Sequence, residues 1–131
     1  MSDESKSKYN EQTAAQAQEL AEAMRALGEG FIGRIPTMIA AMEKELNLIS
    51  LDPQDPAPWK LLYRLLHSLA GSSGSFGFSE LGDRASELEQ RINEILKSDD
   101  IAALQGRLEF IRDQRKFMVW MSENHVKKIA G

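Results

Sequence analysis

The 131-residue chain contains no cysteine, which excludes disulfide bonds, thiolate metal sites and thiol nucleophiles. It also lacks an excess of positive charge. Its net charge of −4 argues against a general nucleic-acid-binding protein, which needs a basic face to displace counterions. No apolar run approaches the roughly 20 residues that cross a bilayer, and the polar first residues do not resemble a signal peptide. We therefore expect a cytoplasmic protein that binds neither nucleic acid nor membranes.

Length and composition predict a single globular domain. An apolar fraction of 42% is ordinary for such proteins, and 131 residues suffice for one hydrophobic core but not for two. The first ten residues are polar, so we expect a flexible N-terminus over 1–10 and one helical domain over 11–131.

Apolar residues recur at helical spacing along the whole chain. A first helix is predicted over 11–27, because Gly28 and Gly30 interrupt its pattern. The second segment has an apolar stripe from Phe31 to Ile49. Pro36 fits this helix if it lies in the first turn, whereas an earlier start should produce a kink. Three of the four prolines then follow at 53–58 and force a break.

Three further helices are predicted. The third runs from about Ala57 into the glycine- and serine-rich stretch 71–77, and Ser79 is the expected N-cap of the fourth. Asp99 or Asp100 would cap the fifth, which could extend almost to Lys128. No alternating strand pattern competes. Short connections between amphipathic helices favour antiparallel neighbours, so the predicted fold is an all-α, up-and-down four-helix bundle with an additional N-terminal helix.

His67 lies on the third helix, about 140–150° from the centre of its leucine stripe at 100° per residue, so its ring should reach solvent. A lone exposed histidine is often only a surface residue. Gly71 and Gly74, however, follow on the same face and would leave a flat patch that another protein can approach closely. Lys60 and Arg64 precede it on that face. They either supply positive charge for a phosphoryl oxygen or form an ordinary solvated surface.

The residues from His67 to Leu81, His-Ser-Leu-Ala-Gly-Ser-Ser-Gly-Ser-Phe-Gly-Phe-Ser-Glu-Leu, resemble the phosphorylation motif of histidine-containing phosphotransfer (HPt) domains. The Gly-Ser-Phe-Gly-Phe portion is similar to the HPt-type first domain of chemotaxis histidine kinases. The resemblance covers about residues 30–118. It implies a phosphorelay protein that accepts and donates a phosphoryl group at His67, exchanging it with a receiver-domain aspartate or with a separate kinase domain.

One position departs from the motif. The family usually has lysine three residues after the histidine, and this chain has Ala70, so Lys60, Arg64 and Arg84 are candidate replacements for its charge. The resemblance also implies a glutamate on the next helix that hydrogen-bonds the ring nitrogen that is not phosphorylated. An ungapped alignment places it at Glu89, which is otherwise one of several surface carboxylates on that helix.

The sequence has no Walker-type nucleotide loop and no evident metal-ligand cluster. We therefore expect no cofactor and no independent enzymatic activity, with Mg²⁺ supplied by the partner. The expected partners are a response-regulator receiver domain, a histidine kinase, or both, and the chain is expected to be a monomer. A receiver should dock around His67, where Gly71 and Gly74 would admit it. Candidates for the rim of this docking surface are Leu61, Tyr63 and Ala70.

Two other function classes compete with this interpretation. The first is a pseudo-HPt module, which binds a receiver or kinase without accepting phosphate, and Ala70 is its best support. The second is a plain helical scaffold, which the intact motif makes the least favoured. The only other histidine, His125, has no comparable setting and is interpreted as a surface residue.

Overall fold

The computed structural model describes residues 2–98 and 104–124, with side chains from residue 10 to 98 and from 105 to 124. These residues form helices and contain no strand. The helices are α1 (Ser2–Gly33), α2 (Ile35–Leu51), α3 (Pro56–Ser75), α4 (Ser79–Lys97) and α5 (Leu104–Asn124). The predicted all-helical fold is confirmed. None of the helices in the described part of the chain is long and apolar enough to span a bilayer.

Helices α2 to α5 form a closed bundle in which each helix packs against two neighbours, and α3 with α4 is the most extensive pair. Gly82 approaches Ser73, whereas Glu89, further along α4, approaches His67, nearer the start of α3. Rising numbers on one helix thus meet falling numbers on the other, so α3 and α4 are antiparallel. Contacts between α4 and α5 follow the same pattern.

The core fixes how α3 is rotated. Leu62, Leu66 and Leu69 are fully or almost fully buried. They pack in the core with other buried side chains, including Trp59 on the same helix and Phe110 on α5, whose ring centroids are 5.6 Å apart. Because burial of a leucine is worth roughly 1.5–3 kcal/mol, this stripe determines which face of α3 points outward.

Helix α1 is longer at both ends than the predicted 11–27. Its residues from 10 to 27 are exposed, and Phe31 is the first large side chain to enter the core. The predicted interruption at Gly28 and Gly30 is wrong. A Cβ added at Gly28 would lie 3.4 Å from Cζ of Phe78, so this glycine allows close helix packing. The backbone is helical from Ser2, and flexibility of residues 1–10 stays a prediction.

Helix α2 begins at Ile35, so Pro36 lies in its first turn, which is the first of the two alternatives that the sequence left open. The proline-rich break follows as predicted. Helix α3 begins at Pro56, and the Asp55 carboxylate caps it by accepting a hydrogen bond from the Ala57 N–H at 3.0 Å.

Helix α3 ends in a Schellman motif. The Phe78 N–H donates to the Ser73 carbonyl at 2.8 Å, and the Gly77 N–H donates to the Gly74 carbonyl at 3.2 Å. Gly77 has φ +78°, a left-handed conformation that favours glycine. Gly74 therefore lies inside the helix, and Gly77 is the residue that ends it.

The predicted N-cap at Ser79 is wrong. Phe78 occupies the cap position of α4 without a side-chain hydrogen bond, and Ser79 is the first helical residue. The preceding Schellman motif fixes the backbone conformation of Phe78, and the helix begins directly after it. Ser79 is therefore already inside the helix and cannot cap it. The other predicted caps, Asp99 and Asp100, lie outside the described residues, as do Lys128 and His125.

Candidate functional site

His67 projects from the outer face of α3, and its side chain is 70% exposed. Its Nδ1 lies 2.5 Å from Oε1 of Glu89 on α4, whose side chain is only 17% exposed. In the described part of the chain Nε2 has no hydrogen-bond partner. A carboxylate can only accept here, so in the neutral imidazole this contact places the ring proton on Nδ1 and leaves the Nε2 lone pair free. The structure thus joins the two residues that the sequence singled out.

The ring of Tyr63 lies beside the imidazole. Tyr63 precedes His67 by four residues on α3, and their ring centroids are 6.1 Å apart with planes inclined by 18°. Tyr63 is half-buried, whereas His67 is exposed. The sequence placed Tyr63 at the docking rim. In the structure it contacts the imidazole itself.

The surface that continues along α3 from His67 carries few protruding side chains. Gly71 and Gly74 are exposed, and a Cβ added at either would meet nothing within 4 Å. Ala70 is half-buried, and Leu61 is 44% exposed. These residues leave the space in front of His67 open to a second molecule.

Gly82 supports the site through helix packing, and the sequence did not single it out. It is buried, and a Cβ there would lie 3.4 Å from Cβ of Ser73 and 3.7 Å from the Ala70 carbonyl oxygen. The glycine therefore brings the start of α4 close to the end of α3, two turns from Glu89. Its position inside an amphipathic helix was the only signal in the sequence.

The basic candidates differ in position. Lys60 and Arg64 are exposed on α3, and neither makes a hydrogen bond or ion pair with His67 or Glu89 in the described residues. Arg64 lines a surface groove between α2 and α3, together with Lys44. Arg84 is engaged elsewhere: it pairs with Glu80 at 3.1 Å, and its guanidinium lies 4.3 Å from the ring centroid of Trp120 on α5.

No group of three or more acidic, histidine or cysteine side chains in the described ranges is arranged to hold a metal ion. The site thus consists of one exposed imidazole, one carboxylate, one aromatic neighbour and an open glycine surface. It leaves Nε2 of the imidazole accessible to a second molecule.

Comparison with known proteins gives the family. A family model described as the Hpt domain matches residues 15–114, which is more than half of the chain. The chain therefore belongs to the Hpt domain family, whose members are phosphotransfer carriers in phosphorelay signalling. Searches of curated proteins and of solved structures gave no significant match.

Proposed function

We propose that this protein accepts a phosphoryl group on Nε2 of His67 and passes it on, exchanging it with an aspartate of a response-regulator receiver domain or with a histidine kinase. The observation that carries the proposal is the contact between Nδ1 of the exposed His67 ring and the Glu89 carboxylate. It provides a fixed tautomer with the nucleophilic nitrogen directed away from the carboxylate.

The transfer follows from this geometry. The Nε2 lone pair attacks the phosphorus of an aspartyl phosphate in line, the bond from phosphorus to the aspartate oxygen breaks, and the aspartate leaves as a carboxylate. The product ring holds a proton on Nδ1 and phosphorus on Nε2, so the imidazole carries a positive charge. The Glu89 carboxylate beside Nδ1 balances that charge.

Phosphoryl transfer also needs positive charge around the phosphoryl oxygens. Ala70 supplies none where the family motif has lysine. We infer that Lys60 and Arg64, exposed on the same helix two turns and one turn before His67, provide part of it, with Mg²⁺ held by the partner.

The low surface at Gly71 and Gly74 is the proposed approach route for the receiver, with Leu61 and Ala70 adding contact area at its rim. A relay has to release its partner after each transfer, so a small, transient interface suits it. The monomeric state and the cytoplasmic location stay predictions.

The direct test is labelling from ATP through a promiscuous kinase–receiver pair that is competent on another HPt domain. We expect acid-labile, base-stable phosphate on the wild type and none on His67→Gln. His125→Gln is the matched control because it removes the only other histidine, and it should be labelled like the wild type. Equal labelling of His67→Gln would contradict the proposal.

Ala70 favours a second candidate, the pseudo-HPt module, which binds a receiver or kinase without accepting phosphate. The same assay separates the two. An unlabelled wild type that still binds the receiver would support the pseudo-HPt module. A labelled wild type would exclude it.

A further inference from the structure

Tyr63 and Glu89 hold the same imidazole from two directions. Glu89 on α4 contacts Nδ1, and the Tyr63 ring is stacked beside the imidazole from the preceding turn of α3. Residues four apart on a helix are neighbours on its surface, which explains the contact. The Tyr63 side chain is half-buried and packs against the core, whereas His67 is exposed, so the tyrosine ring is the more restrained of the two.

A single hydrogen bond does not orient an exposed ring. The Glu89 contact selects the tautomer, but the terminal torsion of histidine is broad, and rotation about the side-chain torsions χ1 and χ2 still changes the direction of Nε2. Such rotation would sweep Nε2 away from any fixed line of attack. An aromatic ring whose centroid lies 6.1 Å away, with its plane inclined by only 18°, opposes this rotation, because aromatic rings at this separation attract one another.

We propose that Tyr63 is a positioning residue for phosphotransfer, which fixes the direction of Nε2 while Glu89 fixes the tautomer. This inference rests on the proposed function of His67. It reassigns Tyr63, because a residue at the docking rim would act through the partner's surface, whereas a positioning residue acts with any phosphoryl donor.

A small donor separates these two roles. Phosphoramidate has no surface to dock: Nε2 attacks its phosphorus, the phosphorus–nitrogen bond breaks, and ammonia leaves. We expect Tyr63→Leu, which keeps an apolar side chain but loses the ring face, to slow phosphorylation of the full chain by phosphoramidate about three- to tenfold. Tyr63→Phe should restore the rate to within about twofold of the wild type, because it keeps the ring.

Leu108→Ala is the control for a general effect of removing a large apolar side chain. Leu108 is 56% exposed on α5 and has no place in the site, so its variant should react like the wild type. Thermal melting of each variant checks the fold, and Tyr63→Phe keeps the test decisive if Tyr63→Leu is destabilised.

Nuclear magnetic resonance supplies a readout independent of phosphorylation. The ring protons of His67 should show a ring-current shift that persists in Tyr63→Phe and disappears in Tyr63→Leu, while the nitrogen shifts that report the tautomer stay unchanged. If the wild type shows this shift but takes no phosphate from any donor, the proposed function is disproved. The proposed role of Tyr63 in transfer is then disproved as well. A Tyr63→Leu variant that reacts with phosphoramidate at the wild-type rate would overturn the positioning role alone. If Tyr63→Leu slows phosphorylation only when the receiver is the donor, Tyr63 acts at the docking rim and not as a positioning residue.

Discussion

At the scale of single residues, the charge and the hydrogen bonding of Glu89 make separate contributions to His67. Glu89→Gln can still accept a hydrogen bond from the Nδ1–H group through its amide oxygen, but it cannot balance the positive charge of the phosphorylated ring. Hydrogen bonds to charged groups are worth roughly 1 kcal/mol more than neutral ones, so we expect transfer to slow about five- to tenfold. Glu89→Ala should slow it further, because it also releases the tautomer.

These two variants are distinguished by the ring nitrogens. The chemical shifts of His67 should report mainly the Nδ1–H tautomer in Glu89→Gln and a mixture in Glu89→Ala. The matched control is Glu87→Gln, an exposed carboxylate on the same helix. If Glu89→Gln transferred phosphate as fast as the wild type, the carboxylate charge would have no role.

The sequence could predict the exposure of His67, because three buried leucines determine the rotation of α3. An ungapped alignment to the family motif also placed Glu89 beside the ring. It succeeded because the turn between α3 and α4 is short and spans only 76–78. The sequence could not predict the ring contact of Tyr63. Spacing made the two residues neighbours, but the side-chain torsions that turn one ring against the other depend on packing with the bundle.

At the scale of helices, the spacing between α3 and α4 depends on Gly82. A Cβ there would lie at ordinary van der Waals distance from Ser73, so Gly82→Ala should fit and gain up to about 1 kcal/mol of stability from helix propensity. Gly82→Val adds two methyl groups against the backbone of α3, and we expect it to lower the free energy of unfolding by about 1–3 kcal/mol. Urea denaturation measures both.

The same pair of variants links helix spacing to the site. Gly82→Val should move α4 and weaken the contact of Glu89 with His67, so its His67 ring should report a mixture of tautomers. Gly82→Ala should keep the wild-type tautomer. If Gly82→Val were as stable as Gly82→Ala, the close approach of the helices at this point would not contribute to the free energy of unfolding.

Helix boundaries show where local sequence rules reach their limit. Gly28 lowers helix propensity, and the sequence alone therefore ended α1 too early. Tertiary packing outweighs that cost, because Phe78 lies close to the backbone at Gly28 and Phe31 enters the core one turn later. The break at the prolines of 53–58 was predicted, because their effect on the backbone is covalent and needs no tertiary contact, whereas the place of Pro36 in its helix was left open.

At the scale of the whole molecule, the closed bundle follows from amphipathic helices joined by short connections. A short connection requires consecutive helices to pack side by side. The course of α1 could not be predicted in this way. Its residues from 10 to 27 carry apolar side chains that remain exposed, including Leu20 and Leu27, so their periodicity predicted a helix without indicating what it would pack against.

The bundle is also tied together by charge, and this makes its stability depend on pH. Arg91 on α4 donates to Oδ2 of Asp113 on α5 at 2.8 Å, and Arg112 contacts Oδ1 at 3.3 Å. Hydrogen bonding to Arg91 is the main cause that lowers the pKa of Asp113 in the folded protein, with Arg112 contributing. As pH falls, the unfolded chain therefore binds the proton first. The stabilisation is complete above the unfolded pKa of about 4 and is lost as pH drops through the lower folded pKa.

We therefore expect Asp113→Asn to lower the free energy of unfolding at pH 7 by about 0.5 kcal/mol, since about a third of each partner's side chain is exposed and solvent screens the pair. The difference from the wild type should shrink toward zero as the pH falls below the lowered pKa of folded Asp113, because the carboxyl is then protonated in both states. Asp83→Asn is the control, because Asp83 is exposed on α4 and has no ion pair within the described ranges, so it should change the acid profile less. Urea denaturation across this pH range measures all three proteins. A difference between Asp113→Asn and the wild type that is the same at every pH would show that the side-chain change acts through packing, since only a titrating carboxylate can make the contribution of this ion pair disappear in acid.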